Sequence, residues 1–262
     1  MSLLEITGLT QAFGDNVLFR DAEFTLNKGE HIGIVGQNGT GKSTFIKICS
    51  DQITPDKGYL AWHPKITTGY LDQYAQIDNT QSMQDFLKSA YSELYRLEER
   101  MNQLYQQAGD GDMSNLMLAS QYQERLDRED FYLIDTHIEQ VAEGLGLKAI
   151  GLERSVGQMS GGQRAKVILA KLLLERPDVL LLDEPTNFLD KEHIIWLSEY
   201  LVNLPEAFMV VSHDYNFLEK VTTRICDIDN KKIKKYYGSF SDFKQKKALL
   251  RADAGHQNIK WR

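Results

Sequence analysis

The chain has no apolar run approaching the roughly 18 residues that cross a bilayer. Even the stretch from Val167 to Leu174 is broken by Lys171. Met1 to Gln11 carries Glu5 and no basic residue, so it does not read as a secretory leader. The expectation is a cytoplasmic protein without stable membrane insertion. Cysteine is scarce: the two present, Cys49 and Cys226, have no metal-ligand spacing. That excludes a disulfide scaffold or a cysteine metal centre, and it leaves two reduced, buried thiols without a role. Basic charge is short over most of the chain. Residues 231–262 hold ten Lys/Arg against two Asp/Glu, and the remainder holds twenty against thirty-five, so a body of about −15 precedes a tail of about +8. The acidic body excludes general coating of nucleic acid. The tail fits either a local contact with a phosphate-rich partner or a solvated basic helix.

What is present is a globular composition, with 42% hydrophobic residues in 262, enough for one large or two small domains. The chain is organised around Gly36-Gln37-Asn38-Gly39-Thr40-Gly41-Lys42-Ser43-Thr44, which fits G-x-x-x-x-G-K-[ST] and follows the apolar run Ile32 to Val35. In such a loop the glycines let backbone N–H groups converge on phosphate oxygens, and the following helix adds the positive end of its dipole. Lys42 would reach the β- and γ-phosphates, Ser43 would ligate Mg²⁺, and Thr44 would hydrogen-bond a phosphate nearer the ribose.

Upstream, Leu3 to Leu9, Val17 to Phe19 and Ala22 to Leu26 read as strands of an antiparallel layer, with turns at Gly14 to Asn16 and Asn27 to Gly29. Phe13 lies in that layer, either as an edge or core ring or as a platform for a nucleotide base. Downstream, Tyr59 to Trp62 and Ile66 to Leu71 read as a hairpin ending at Asp72-Gln73. Helical periodicity then takes over from Ser82 to Tyr105, from about Ser114 to Asp127 and from about Tyr132 to Gly144. The first two stretches flank Gly109 to Asp112 and suit an antiparallel helical hairpin.

The densest chemistry lies between residues 155 and 214. Met159-Ser160-Gly161-Gly162-Gln163 opens an amphipathic helix with Ser160 as its N-cap, and the free N–H groups behind it form an anion site. Val179 to Leu182 reads as a buried parallel strand that delivers Asp183 and Glu184 at its carboxyl end, where α/β sheets bind ligands. Asp183 suits the Mg²⁺ shell, and Glu184 suits orienting or activating a water against a γ-phosphate. A second apolar strand, Phe208 to Val211, carries His213 to the same edge. His31, His63, His137, His193 and His256 read as surface or packing residues.

Taken in order, Gly36 to Thr44, Gln73, Met159 to Gln163, Val179 to Pro185, Asn187 to Asp190 and His213 resemble an ABC-type ATPase domain over nearly the whole chain. The Ser-Gly-Gly-Gln run separates that family from other P-loop proteins. The resemblance implies a P-loop NTPase α/β fold: a mainly parallel sheet, an antiparallel β layer and a helical subdomain. It further implies ATP and Mg²⁺ as cofactors, Phe13 as the adenine-stacking residue, and Gln73 as a metal and water contact. Asp190 would serve as the D-loop and His213 as the switch histidine. In the family two such domains sandwich two nucleotides, so that Ser160 to Gln163 of one domain completes the site built on the P-loop of a second. The run Glu184-Pro185-Thr186-Asn187-Phe188-Leu189-Asp190 is similar to the E-P-T-N-H-L-D of ABC-F proteins, with Phe188 in place of the usual His and Met159 in place of the commoner Leu. Tyr237 to Phe243 resembles the stretch ahead of their interdomain linker.

The expected organisation is therefore an ATPase domain over 1–240 with a helical arm at about 76–176, followed at 241–262 by the start of a basic linker. The implied partners are a second ABC domain, in the same full-length chain or from a second copy, and ribosomal RNA or tRNA reached through the linker and arm. The implied activity is ATP hydrolysis on the ribosome, in translation or antibiotic resistance; the alternative is the nucleotide-binding subunit of a membrane transporter. A tail that contacts RNA should bind with an affinity that falls steeply with salt in a titration against ribosomal RNA, and a flat salt response returns it to a solvated helix.

Overall fold

The structure is a computed structural model that describes residues 1–72, 77–108 and 112–259. Two compact units emerge, one formed by Met1–Leu71 with Pro177–Arg262 and the other by Asp72–Arg176.

The first unit begins with two long strands, β1 (Ser2–Phe13) and β2 (Asn16–Asn27), antiparallel and joined at Gly14-Asp15. The two segments expected at Val17 to Phe19 and Ala22 to Leu26 form one strand. Asp21, at a φ of 47°, and several register shifts let it keep pairing with β1. β3 (His31–Val35) is buried throughout and leads into α1 (Lys42–Cys49). β4 (Lys57–Trp62) and β5 (Thr68–Tyr70) follow, and here the sequence expectation fails. They do not form a hairpin: β4 pairs antiparallel with β1, whereas β5 pairs parallel with β6 (Val179–Asp183) in the other sheet. Asp178 accounts for the difference. Its Oδ2 accepts from the backbone N–H and the hydroxyl of Thr67 at 2.8 Å each, and its own N–H donates to the Thr67 hydroxyl. Leu71 N–H then donates to Leu181 O, which ties the strand to β6 rather than back to β4.

Beyond β6, the unit contains α7 (Lys191–Val202), β7 (Ala207–Val211), α8 (Tyr215–Val221), β8 (Arg224–Asp229), β9 (Lys232–Tyr237) and α9 (Phe240–Ile259). The six-stranded sheet runs β5-β6-β7-β3-β8-β9, parallel except for the β8–β9 hairpin, and the other sheet runs β2-β1-β4. α1 belongs to the core they share, where Phe45 lies edge-on to Phe24 with centroids 5.2 Å apart and tilted against Phe19 at 6.0 Å. Phe45 is fully buried, a contribution of about 1.5–3 kcal/mol from area removed from water. The helix that opens the P-loop is thereby immobilised from behind. Cys49 and Cys226 are buried in the same core, and burial pushes both thiols up.

The second unit is helical: α2 (Met83–Lys88), α3 (Ser92–Ala108), α4 (Met113–Arg128), α5 (Ile134–Gly144) and α6 (Gly161–Glu175). The single stretch expected from Ser82 to Tyr105 is split by a tighter turn at Ser89–Tyr91, where the Ser89 hydroxyl donates to Phe86 O. α3 and α4 pack along one another, and Met101, Leu104 and Ala108 of the first and Ala119 and Leu126 of the second are buried. No helix among the described residues is long and apolar enough to cross a membrane.

Just before β3, Glu30 accepts from the Asn27 N–H at 2.8 Å and from the Lys235 ammonium of β9. Burial by itself would raise its carboxyl, but Lys235 and the Asn27 N–H outweigh burial and hold it below the ordinary carboxylate value. A carboxyl depressed in the folded state contributes stability above its unfolded value and loses that contribution as pH falls through the folded one. Urea unfolding of Lys235→Met should therefore show its largest deficit against wild type near neutrality, with the two curves converging in acid. A deficit constant with pH would remove the ion pair from this role.

Candidate functional site

Five parallel strands end at one edge of the sheet, and the register decides what meets there. Ile34 of β3 lies beside Val211 of β7, Val211 lies beside Asp183 of β6, and Val35 lies beside Asp227 of β8. Past those ends lie the P-loop, Glu184 and Ser212-His213.

The P-loop takes its shape from backbone demands. Gly36 has a φ of 156°, and a Cβ there would come within 2.6 Å of Ile228 O and Thr40 Oγ1. Gly39, at a φ of 79°, faces open space, which leaves a cradle at the loop's crest. Thr40 closes the turn from within, its hydroxyl and N–H both donating to Gln37 O at 2.9 and 3.3 Å. Lys42 is buried, and its ammonium donates to Gly36 O at 3.0 Å and Gln37 O at 3.2 Å. The loop thus holds its own cation folded against its carbonyls, within reach of anything seated in the cradle.

Opposite, the Ser43 hydroxyl donates to Asp183 Oδ1 at 3.1 Å. A hydroxyl and one carboxylate at a helix start are the oxygen donors that suit Mg²⁺, which is held by one or two carboxylates with phosphates and waters rather than by a protein cage. No cluster of three or more acidic, His or Cys residues that could hold a metal ion occurs among the described residues. Glu184 sits at a φ of 50°, an unfavourable conformation for a side chain of its length. Its N–H donates to Val211 O at 2.9 Å, and its Oε2 accepts from the His213 N–H at 3.2 Å. Its Oε1 is buried without a hydrogen bond, and His213 Nε2 lies 3.3 Å away. A carboxylate oxygen held dry in this way is placed to accept from a water or hydroxyl entering the site.

Phe13, Asn38, Gly39, Gly41, Lys42, Ser43, Thr44, Glu184 and His213 line one recess of about 550 Å³. That volume suits a ligand of nucleotide size. Phe13 is half exposed at its mouth. Of the remaining residues singled out in the sequence, Asp183 enters through Ser43. Asp190 does not line the recess; it precedes α7 with His193 Nδ1 at 3.3 Å from its carboxylate. Gln73 lies outside the described residues. Ser160, Gly161, Gly162 and Gln163 belong to the helical unit, at the N-terminus of α6. There the Ser160 hydroxyl accepts from the Gln163 N–H at 3.2 Å, and the Gln163 side chain accepts from the Ser160 N–H at 3.0 Å. This capping box leaves Gly161 and Gly162 with open space where side chains would stand.

Three contributors were not visible as site residues in the sequence. Asn16 lines the recess because it is the cross-strand partner of Phe13; the turn read at Gly14 to Asn16 sets them side by side without marking Asn16 as a site residue. Leu18 packs beneath Gly41, 3.2 Å from where a Cβ would be. Thr186 meets Ser212 hydroxyl to hydroxyl at 3.2 Å and joins the loop after β6 to the one after β7. No local pattern signals that pair.

Comparison with known proteins agrees with this geometry. A family model described as "ABC transporter" matches residues 19–187. The chain is 44% identical over 247 residues to the uncharacterized ABC transporter ATP-binding protein YfmM of Bacillus subtilis, with 93% of this chain and 48% of that protein covered. It is 32% identical over 251 residues to the energy-dependent translational throttle protein EttA of Mycobacterium tuberculosis, covering 95% and 45%. To the tylosin resistance ATP-binding protein TlrC of Streptomyces fradiae it is 30% identical over 266 residues, covering 100% and 48%. The chain thus spans about half the length of these relatives. Among solved structures, the ATP-binding subunit of an ABC transporter superposes with a TM-score of 0.67 at 18% identity, over 94% of each chain, a likeness of fold.

Gly36→Ala should collapse the cradle, because one of its two clashes is with the Ile228 carbonyl, backbone that cannot rotate away. A fluorescent-nucleotide titration is expected to show binding weaker by at least about tenfold, close to 1.4 kcal/mol. Gly39→Ala, strained but unobstructed, should lose less, and equal losses would refute the steric reading.

Proposed function

Because the chain belongs to the ABC transporter family of ATP-binding domains, we propose that it is one ATPase unit of an ABC-F type protein, binding and hydrolysing ATP with Mg²⁺ and acting on the ribosome in translation or antibiotic resistance. The observation that carries the enzymatic part is that Lys42, Ser43, Glu184 and His213 line one recess. Phe13 stacks on the adenine at its mouth, and the N–H groups of Asn38 to Thr44 grip the phosphates. Lys42 swings from the Gly36 and Gln37 carbonyls to the terminal phosphates. Ser43 and Asp183 would hold Mg²⁺, with Gln73 as a further contact by resemblance, and the bound metal would supply charge neutralisation at the phosphates. Glu184 orients the attacking water through its buried Oε1 and takes its proton, while His213 holds the terminal phosphate against that water.

The choice of ABC-F within the family is supported by the run from Glu184 to Asp190, by the α3–α4 pair and by the basic tail. The names of two relatives, a translational throttle and a tylosin resistance protein, point the same way. We assign 1–240 to the ATPase domain with its arm at about 76–176, and 241–262 to the start of a linker. A second ABC domain, from the remainder of a longer chain or from another copy, would supply the Ser-Gly-Gly-Gln that completes this recess, and Ser160 to Gln163 would do the same for its site. Asp190 is assigned to that interface. The compartment that fits a ribosomal partner is the cytoplasm.

Glu184→Gln in the intact protein should bind ATP and fail to hydrolyse it, accumulating with ribosomes in a sucrose gradient. Wild-type turnover would remove Glu184 from its role. Sedimentation with membranes and none with ribosomes would turn the assignment to a transporter subunit.

A further inference from the structure

His213 is followed by Asp214, whose carboxylate caps α8 by accepting from the N–H groups of Asn216 and Phe217 at 3.0 Å each. The first residue of α8, Tyr215, is half exposed, yet its ring is held on one side. It stacks on Phe240, the first residue of α9, with centroids 4.9 Å apart and planes 12° from parallel. The Lys244 ammonium lies 5.0 Å from the Tyr215 ring centre and 4.9 Å from that of Phe240. Cation and stacked rings form one unit. One residue into α9, the Ser241 N–H donates to Glu219 Oε2 of α8 at 2.7 Å.

α9 is fixed to the sheet at a second point. Lys247 reaches the buried carboxylate of Asp227 at 2.6 Å and Asp229 at 3.2 Å. Asp227 is the β8 neighbour of Val35, one residue before the P-loop begins. Between these anchors lies a cleft of about 300 Å³, with Gly36, Gln37 and Lys42 on one wall and Phe240, Phe243 and Lys244 on the other. The basic helix is thus seated against both the turn that carries His213 and the strand end that carries the P-loop.

We propose that Tyr215 is a positioning residue: clamped by Phe240 and Lys244 of α9, it fixes the turn that presents His213 to Glu184, so that hydrolysis depends on α9 being docked. This rests on the reading of Glu184 and His213 given above. Tyr215 touches no substrate in this role; it acts through the backbone two residues away. A flat ring is what the clamp requires, and its hydroxyl is dispensable.

Steady-state ATPase kinetics of the intact protein test this with wild type, Tyr215→Ala, Tyr215→Phe, Lys244→Met and Glu184→Gln. Tyr215→Ala should lower kcat by about threefold to tenfold while KM stays within about twofold, and Tyr215→Phe should restore the wild-type rate. Lys244→Met, on the exposed side of the clamp, should give a smaller fall in kcat of the same kind, and it carries the test if Tyr215→Ala does not fold. Wild-type kcat in Tyr215→Ala alongside an inactive Glu184→Gln overturns the positioning role and leaves the site reading intact. A rise in KM alone, or a fall that Tyr215→Phe does not rescue, also overturns it. Wild-type turnover in Glu184→Gln overturns the site reading and the positioning role with it.

Discussion

In a parallel sheet the register of neighbouring strands fixes which strand ends meet, and here three pairings carry the chemistry: Ile34 with Val211, Val211 with Asp183, and Val35 with Asp227. The strands concerned are buried on both faces, so a slip of one residue would have to reverse an entire set of apolar side chains that have nowhere else to go. The loops beyond them inherit that precision. The Ser43 hydroxyl can meet Asp183 across 140 residues of sequence only because β3 and β6 both flank β7 and end level with it.

Against this rigid edge the functional groups are held in unfavourable states. Lys42 is buried on carbonyl oxygens rather than on a carboxylate. Glu184 occupies a left-handed backbone conformation and keeps one carboxylate oxygen dry. Each costs stability, of order 1–3 kcal/mol for the backbone strain alone. The aromatic core of Phe19, Phe24 and Phe45 behind α1 offsets part of that cost. An incoming anion would relieve Lys42, whereas the Glu184 oxygen needs a hydrogen-bond donor such as water.

The basic tail gains a definite place in this picture. Its charge asymmetry is plain from composition, and composition allows a solvated helix or a phosphate-binding one. The structure adds that Lys244 and Lys247 are already engaged with the ATPase unit, over the Tyr215 and Phe240 rings and on Asp227. Part of the tail's charge is therefore spent inside the protein. The part available to an RNA partner is correspondingly smaller.

Where chemistry is local, the sequence by itself determined it. The P-loop, the Asp183-Glu184 pair after four apolar residues, the strand leading to His213 and the N-cap at Ser160 each follow from residues a few positions apart, because loops, caps and short strands are set by φ/ψ and by hydrogen bonds within one turn. Only the tertiary structure decided the rest. β4 and β5 look like a hairpin locally, but Asp178, more than a hundred residues away, holds Thr67 and sends β5 to the parallel sheet. The Thr186–Ser212 contact and the clamp on Tyr215 likewise join segments distant in sequence. Such contacts depend on strand order and register, which are properties of the closed sheet and have no signature in any single segment.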